Sequence, residues 1–171
     1  SPGLLMGSNL RPNIGDVDVS DGGSTLPASP KNLQQSFDLQ FRFNTGGTSL
    51  GTFDIKIQFD PSKLNIVAVR GENHQPGSNW RSGVLVSNID SPGLLIVSGA
   101  PDQTDNPPKG QYTHIFSVRF IGVRAGLARI LCNIEMYNSD GKSIGSFSGQ
   151  HNVVAGNIGV IINGRRNSRD V

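Results

Sequence analysis

Gly51-Thr-Phe-Asp-Ile-Lys-Ile-Gln-Phe-Asp-Pro-Ser-Lys-Leu64-Asn-Ile-Val-Ala-Val69 is the stretch that decides the fold. Phe53, Ile55, Ile57 and Phe59 alternate with Thr52, Asp54, Lys56 and Gln58. A period of two sends the four apolar groups to one side of a strand and the four polar groups to the other. Asp60-Pro61 then stops the strand, because proline donates no ladder hydrogen bond and restricts the residue before it. A second apolar run, Leu64 to Val69, follows at once. The pattern predicts a sandwich of two sheets with one face left wet.

Outward from this pair the same signal recurs. Phe37, Leu39, Phe41 and Phe43 alternate against Asp38, Gln40 and Arg42, and His114, Phe116, Val118 and Phe120 against Ile115, Ser117 and Arg119. Further strands are expected at 13–19, 84–89, 94–98, 127–137 and 157–162, nine in all, separated by turn signals such as Asp90-Ser-Pro-Gly93 and Asn138-Ser-Asp-Gly141. No stretch carries helical periodicity over ten residues. The expectation is an all-β, nine-strand sandwich of jelly-roll or immunoglobulin-like topology. Its domain spans 13–163, after a leader at 1–12 and before a flexible basic tail at 164–171.

Bulk properties agree. The 171 residues are enough for one domain with a real core, and 22 Gly, 10 Pro and only 16% charged residues suit many short strands and turns. A net charge of +2 without a basic stripe argues against nucleic acid. No apolar run is long enough to insert into a membrane as a helix. Cys132 is the single cysteine and lies in the alternation Ile130, Cys132, Ile134, Met136, so it reads as a small buried hydrophobe. The Ser-Pro start reads as a module taken from something longer.

These signals, in this order, resemble the cohesin family. The residues that carry the resemblance run from Gly51 to Gly71 and include the Asp-Pro-x-x-Leu signature of Asp60, Pro61 and Leu64. Gly93-Leu-Leu-Ile-Val-Ser-Gly-Ala100, Ile115-Phe-Ser-Val-Arg-Phe120 with Ala125-Gly126, and Gly156-Asn-Ile-Gly-Val160 complete it, over about three quarters of the chain. The resemblance implies a nine-strand jelly roll that binds a protein instead of catalysing a reaction. In cellulosomal relatives that partner is a dockerin, a small calcium-loaded helical module. It implies docking on the face of the third, fifth, sixth and eighth strands, here Gly51 to Phe59, Val84 to Ile89, Gly93 to Ser98 and Leu127 to Met136. With Phe53 and its mates inward, the exposed positions are Asp54, Lys56, Gln58, Arg129, Leu131, Asn133 and Glu135. An outward Leu131 amid polar groups is the kind of mixed surface a partner uses. The expected location is extracellular or cell-surface, within a larger protein.

Two other functions fit the scaffold. A carbohydrate-binding module stacks sugars on exposed rings, and Trp80, Tyr112 and Tyr137 are the rings off the inward phases, with Trp80 in a polar loop the best. A structural assembly domain would use the leader (Leu4, Leu5, Met6) and the Pro-rich loop as contacts. Catalytic signals are missing: His74, His114 and His151 have no metal-ligand spacing, and there is no nucleophile elbow or phosphate loop. The acid pairs Asp102/Asp105 and Asp16/Asp18 do not suggest a glycosidase cleft. Asp16-Val-Asp-Val-Ser-Asp-Gly-Gly23 places oxygens at Asp16, Asp18 and Asp21 as a weak calcium candidate, although Asp21 stands where a calcium loop has glycine. No cofactor is otherwise expected. Arg166-Asn-Ser-Arg169 matches a minimal basic-protease site, for which a solvated tail is the plain reading.

Overall fold

The computed structural model describes residues 13–21, 29–104, 106–144 and 153–164, and the side chains of all of these except 153–158. The leader, Asp105, His151 and the Arg166–Arg169 motif lie outside the described residues. Eleven strands are present among those described: β1 (Val17–Ser20), β2 (Lys31–Asn32), β3 (Ser36–Phe43), β4 (Leu50–Phe59), β5 (Leu64–Ile66), β6 (Gln75–Pro76), β7 (Gly83–Ser91), β8 (Leu94–Pro101), β9 (Thr113–Gly122), β10 (Gly126–Asn138) and β11 (Val153–Asn163). The nine expected strands are the nine longest of these, and β2 and β6 are two-residue additions. β5 is shorter than the expected 64–69: its ladder with β9 ends at Ile66, and Val69 pairs instead with Glu72 around the turn at Arg70 and Gly71, both at positive φ. β11 is longer than 157–162.

One sheet runs β1-β3-β9-β5, with β6 also on β9, and the other runs β2-β11-β10-β4-β8-β7. Together they form an all-β jelly-roll sandwich. Alternation decides which side of each strand is buried. On β4, Phe53, Ile55 and Ile57 are buried while Thr52, Lys56 and Gln58 are exposed. On β10, Ala128, Ile130, Cys132, Ile134 and Met136 are buried against exposed Arg129 and Leu131. Burial also pushes the Cys132 thiol pKa upward, so this cysteine packs as an inert hydrophobe.

The Asp-Pro-x-x-Leu signature has a physical role. β4 and β5 belong to different sheets, so residues 60–63 carry the chain across the sandwich. Asp60 Oδ1 accepts hydrogen bonds from the Ser62 backbone N–H (2.9 Å) and hydroxyl (2.7 Å). The Asp60 carbonyl accepts from the N–H groups of Lys63 and Leu64, both at 3.0 Å. Leu64, fully buried, then anchors the crossing in the core.

Rings from both sheets interlock there. Phe116 stacks on Phe41 (4.7 Å between centroids, 10°) and on Phe53 (6.2 Å, 5°). Phe43 meets Phe53 edge-on at 4.9 Å. The approach of β4 to the end of β10 requires glycine: a Cβ on Gly51 would lie 2.2 Å from the Asn138 carbonyl oxygen. That contact sits beside the register shift between Tyr137 and Asn138.

Candidate functional site

The outer surface of β10, β4, β8 and β7 is the candidate site. These strands are consecutive neighbours in the six-stranded sheet, so the four segments expected to share a face do share one. Pairing aligns their outward residues in rows. Glu135 lies opposite Asp54, Asp54 opposite Ser98, and Ser98 opposite Val86. In the next row Asn133, Lys56, Ile96 and Asn88 follow one another, and then Leu131, Gln58 and Leu94.

Local bonds tune the acidic row. Like charges directly opposite on a sheet repel, and here Asp54 and Glu135 each take a donor: the Ser98 hydroxyl bonds Asp54, and the Tyr137 hydroxyl donates to Glu135 Oε2 at 3.0 Å. The bond to Glu135 raises the Tyr137 phenol pKa, with desolvation and the Glu135 and Asp54 charges adding to it. Lys56 and Arg129 are exposed and form no ion pair among the described residues. Where β4 ends and β10 begins, Gln58, Phe59, Asp60, Lys63, Leu127, Arg129 and Leu131 surround an open depression of about 430 Å³.

Asp54, Lys56, Gln58, Arg129, Leu131, Asn133 and Glu135 thus all lie on the outer side of β4 and β10. Leu131, read as outward from the sequence, is 37% exposed. What sequence reading missed is the rest of the apolar surface: Val84 and Val86 on β7 are 60% and 53% exposed, and Leu94 and Ile96 of β8 are half-buried beside them. Val84-Leu-Val86 is apolar at successive positions, so alternation could not tell which residues point out; pairing of Val84 with Ala100 and Val86 with Ser98 tells it.

Among the described residues Trp80 is not an exposed stacking ring, which corrects the expectation for it. Its indole is only 8% exposed and meets Phe53 edge-on at 6.0 Å. The reason is space above Gly99, where a Cβ would come within 3.0 Å of the indole. A polar loop can therefore carry a core residue. Tyr112 is half-buried before β9, and Tyr137 is tied to Glu135. Trp80 emission should be blue-shifted, with acrylamide quenching several-fold weaker than for a free indole and no change on adding soluble polysaccharides.

The calcium candidates are dispersed. Asp16 Oδ2 accepts from the Asn13 N–H at 2.8 Å, and Asp18 is buried opposite Arg42. Desolvation, the largest single influence on Asp21, raises its pKa, but hydrogen bonds to its Oδ2 from Lys31 Nζ (2.7 Å) and from the Ser29 N–H and hydroxyl, with the Lys31 charge, together hold it below the usual value. No group of three or more His, Cys, Asp or Glu side chains comes together among the described residues. His74 and His114 are both buried, each against a different serine. His74 Nδ1 lies 2.5 Å from Ser87 Oγ, and His114 Nε2 lies 2.8 Å from Ser117 Oγ.

No family model and no curated protein sequence matches this chain. Solved structures do match it in shape. The cohesin module of a family 33 glycoside hydrolase from Clostridium perfringens superposes with a TM-score of 0.66 at 12% identity, covering 88% of this chain and 98% of that one. A non-cellulosomal cohesin from the archaeon Archaeoglobus fulgidus gives 0.62 at 15% identity, over 86% and 91%. The sixth cohesin of scaffoldin B from Acetivibrio cellulolyticus, solved in complex with a dockerin, gives 0.65 at 14% identity, over 87% and 99%. At such identities the likeness is one of fold. The chain is a β-sandwich with a cohesin-like fold.

Proposed function

We propose that this chain is a non-catalytic protein-binding module that docks a dockerin-type partner on the outer face of β10, β4, β8 and β7. The observation that carries the reading is the composition of that face. Exposed Leu131, Val84 and Val86 share one sheet surface with Lys56 and Arg129, which form no ion pair among the described residues. Apolar anchors ringed by polar groups are the anatomy of a protein interface. The solved cohesin–dockerin complex on the same fold supports the choice of partner. We further propose that the module works outside the cell or at its surface, as part of a larger protein.

The test is capture from the native organism's secreted and surface fractions. The wild-type chain should retain a small calcium-binding protein that EDTA releases. A Val86→Asp/Leu131→Asp double variant should bind it about tenfold more weakly or worse, with an unchanged circular dichroism spectrum. Retention that is indifferent to both the face and calcium would overturn the reading.

A further inference from the structure

The docking face has electrical polarity along its strands. The Asp54–Glu135 row lies near one end. Arg129, one position beyond the pairing of Ile130 with Phe59, lies at the other. Six residues of strand separate them, about 20 Å. The depression sits at the cationic end. Its apolar surface comes from Phe59, Leu127 and Leu131, and its charges are Lys63, Arg129 and Asp60.

The three charges are not equally available. Asp60 Oδ1 already accepts both Ser62 bonds, and Lys63 and Arg124 add attractive charge beside it. Lys63 Nζ donates to the Leu127 carbonyl oxygen at 2.9 Å, which fixes the ammonium at the rim. Arg129 is exposed and has no ion pair among the described residues. Its planar fork suits bidentate recognition of a carboxylate. An apolar hollow with a waiting guanidinium at its edge fits an apolar side chain adjacent to an acidic one. A basic residue there would meet two cations against one engaged carboxylate. At the far end the acidic row would repel an anion, and Lys56, the other exposed cation of the face, stands one row from Asp54 and Glu135, whose charges offset it, so the depression at Arg129 is the more favourable place for such a pair.

Building on the docking reading above, we propose that the partner enters this depression with an apolar residue followed by a carboxylate, and that Arg129 is the residue that selects for it. The probes are two capped tetrapeptides, acetyl-Gly-Leu-Glu-Gly-amide and acetyl-Gly-Leu-Lys-Gly-amide, titrated into the full chain labelled with nitrogen-15. The acidic peptide should shift the backbone amides of Leu127, Arg129 and Leu131 and bind about fivefold or more tightly than the basic one. Arg129→Glu should invert that order. Arg129→Lys, which keeps the charge and loses the fork, should retain the order with a smaller margin. Equal binding of both peptides, an order unmoved by Arg129→Glu, or shifts confined to other strands would each overturn the proposal. Face-dependent capture of a partner without an acidic preference removes this inference and leaves the docking reading standing. An Arg129-dependent acidic preference without face-dependent capture removes the docking reading alone.

Discussion

A Phe116→Ala variant unfolds about 3–5 kcal/mol more easily than the wild type, measured as the shift of the urea midpoint multiplied by an unchanged slope. The size of the effect follows from position. Phe116 is fully buried on β9, stacks on Phe41 of its own sheet, and reaches across the sandwich to lie parallel to Phe53 of the other. Phe43 closes on it edge-on at 6.1 Å. Removing the ring forfeits its transfer energy and leaves a cavity bounded by three aromatic groups held by two sheets, which cannot easily collapse into it. Set against an ordinary stability of roughly 5–15 kcal/mol, the loss should lower Tm by roughly 6–20 °C. Leu131→Ala on the outer face is the control, and it should cost far less because Leu131 already meets water. Similar losses from the two variants would contradict the packing described.

Mild acid is the second strong destabiliser. His74 is held below the usual histidine pKa by burial, against opposing contributions from the Glu72 charge and a hydrogen bond to the Leu85 backbone. His114 is lowered by burial and by the Arg42 charge, against a backbone bond at Phe116. Arg42 itself faces Asp18 across the β1–β3 pair. Both imidazoles are therefore neutral in the fold at pH values where an unfolded chain already binds their protons. Between the folded and unfolded pKa values the unfolded state holds more protons, so stability rises with pH in that window. Their stability is fully present above about pH 6.5 and is lost as pH falls toward and through the lowered folded values. Each histidine contributes a slope of at most about 1.4 kcal/mol per pH unit. Urea midpoints measured from pH 7.5 to 5 should fall, and a His74→Gln/His114→Gln double variant should flatten the profile. A wild-type midpoint that does not move across that range would contradict the neutral, buried assignment.

The two histidines also mark where sequence reading stopped. Their spacing excluded a metal pair, yet nothing in the residues beside them said that both are buried. His74 is buried because loop 72–80 folds back on the sandwich: β6 pairs with Ser117 and Phe116 of β9, and the imidazole reaches Ser87 of β7. Trp80 follows from the same loop. Its polar neighbours, Ser78, Asn79 and Arg81, suggest an exposed ring, and only the gap over Gly99 and Phe53 shows otherwise.

The sequence by itself determined nine of the eleven described strands, their inward and outward sides on β3, β4, β9 and β10, and the break between β4 and β5 at Asp60-Pro61. It could do so because alternation and proline restriction act between adjacent residues and need no partner. From those phases the outward positions on β4 and β10 could be read directly. Tertiary structure alone decided which strands are neighbours in each sheet, and hence that the acidic row, the apolar Val84–Val86 edge and the cationic depression form one surface. It also decided which polar loop buries its side chains. These are consequences of register and of space between elements far apart in the chain, and no short-range pattern encodes either.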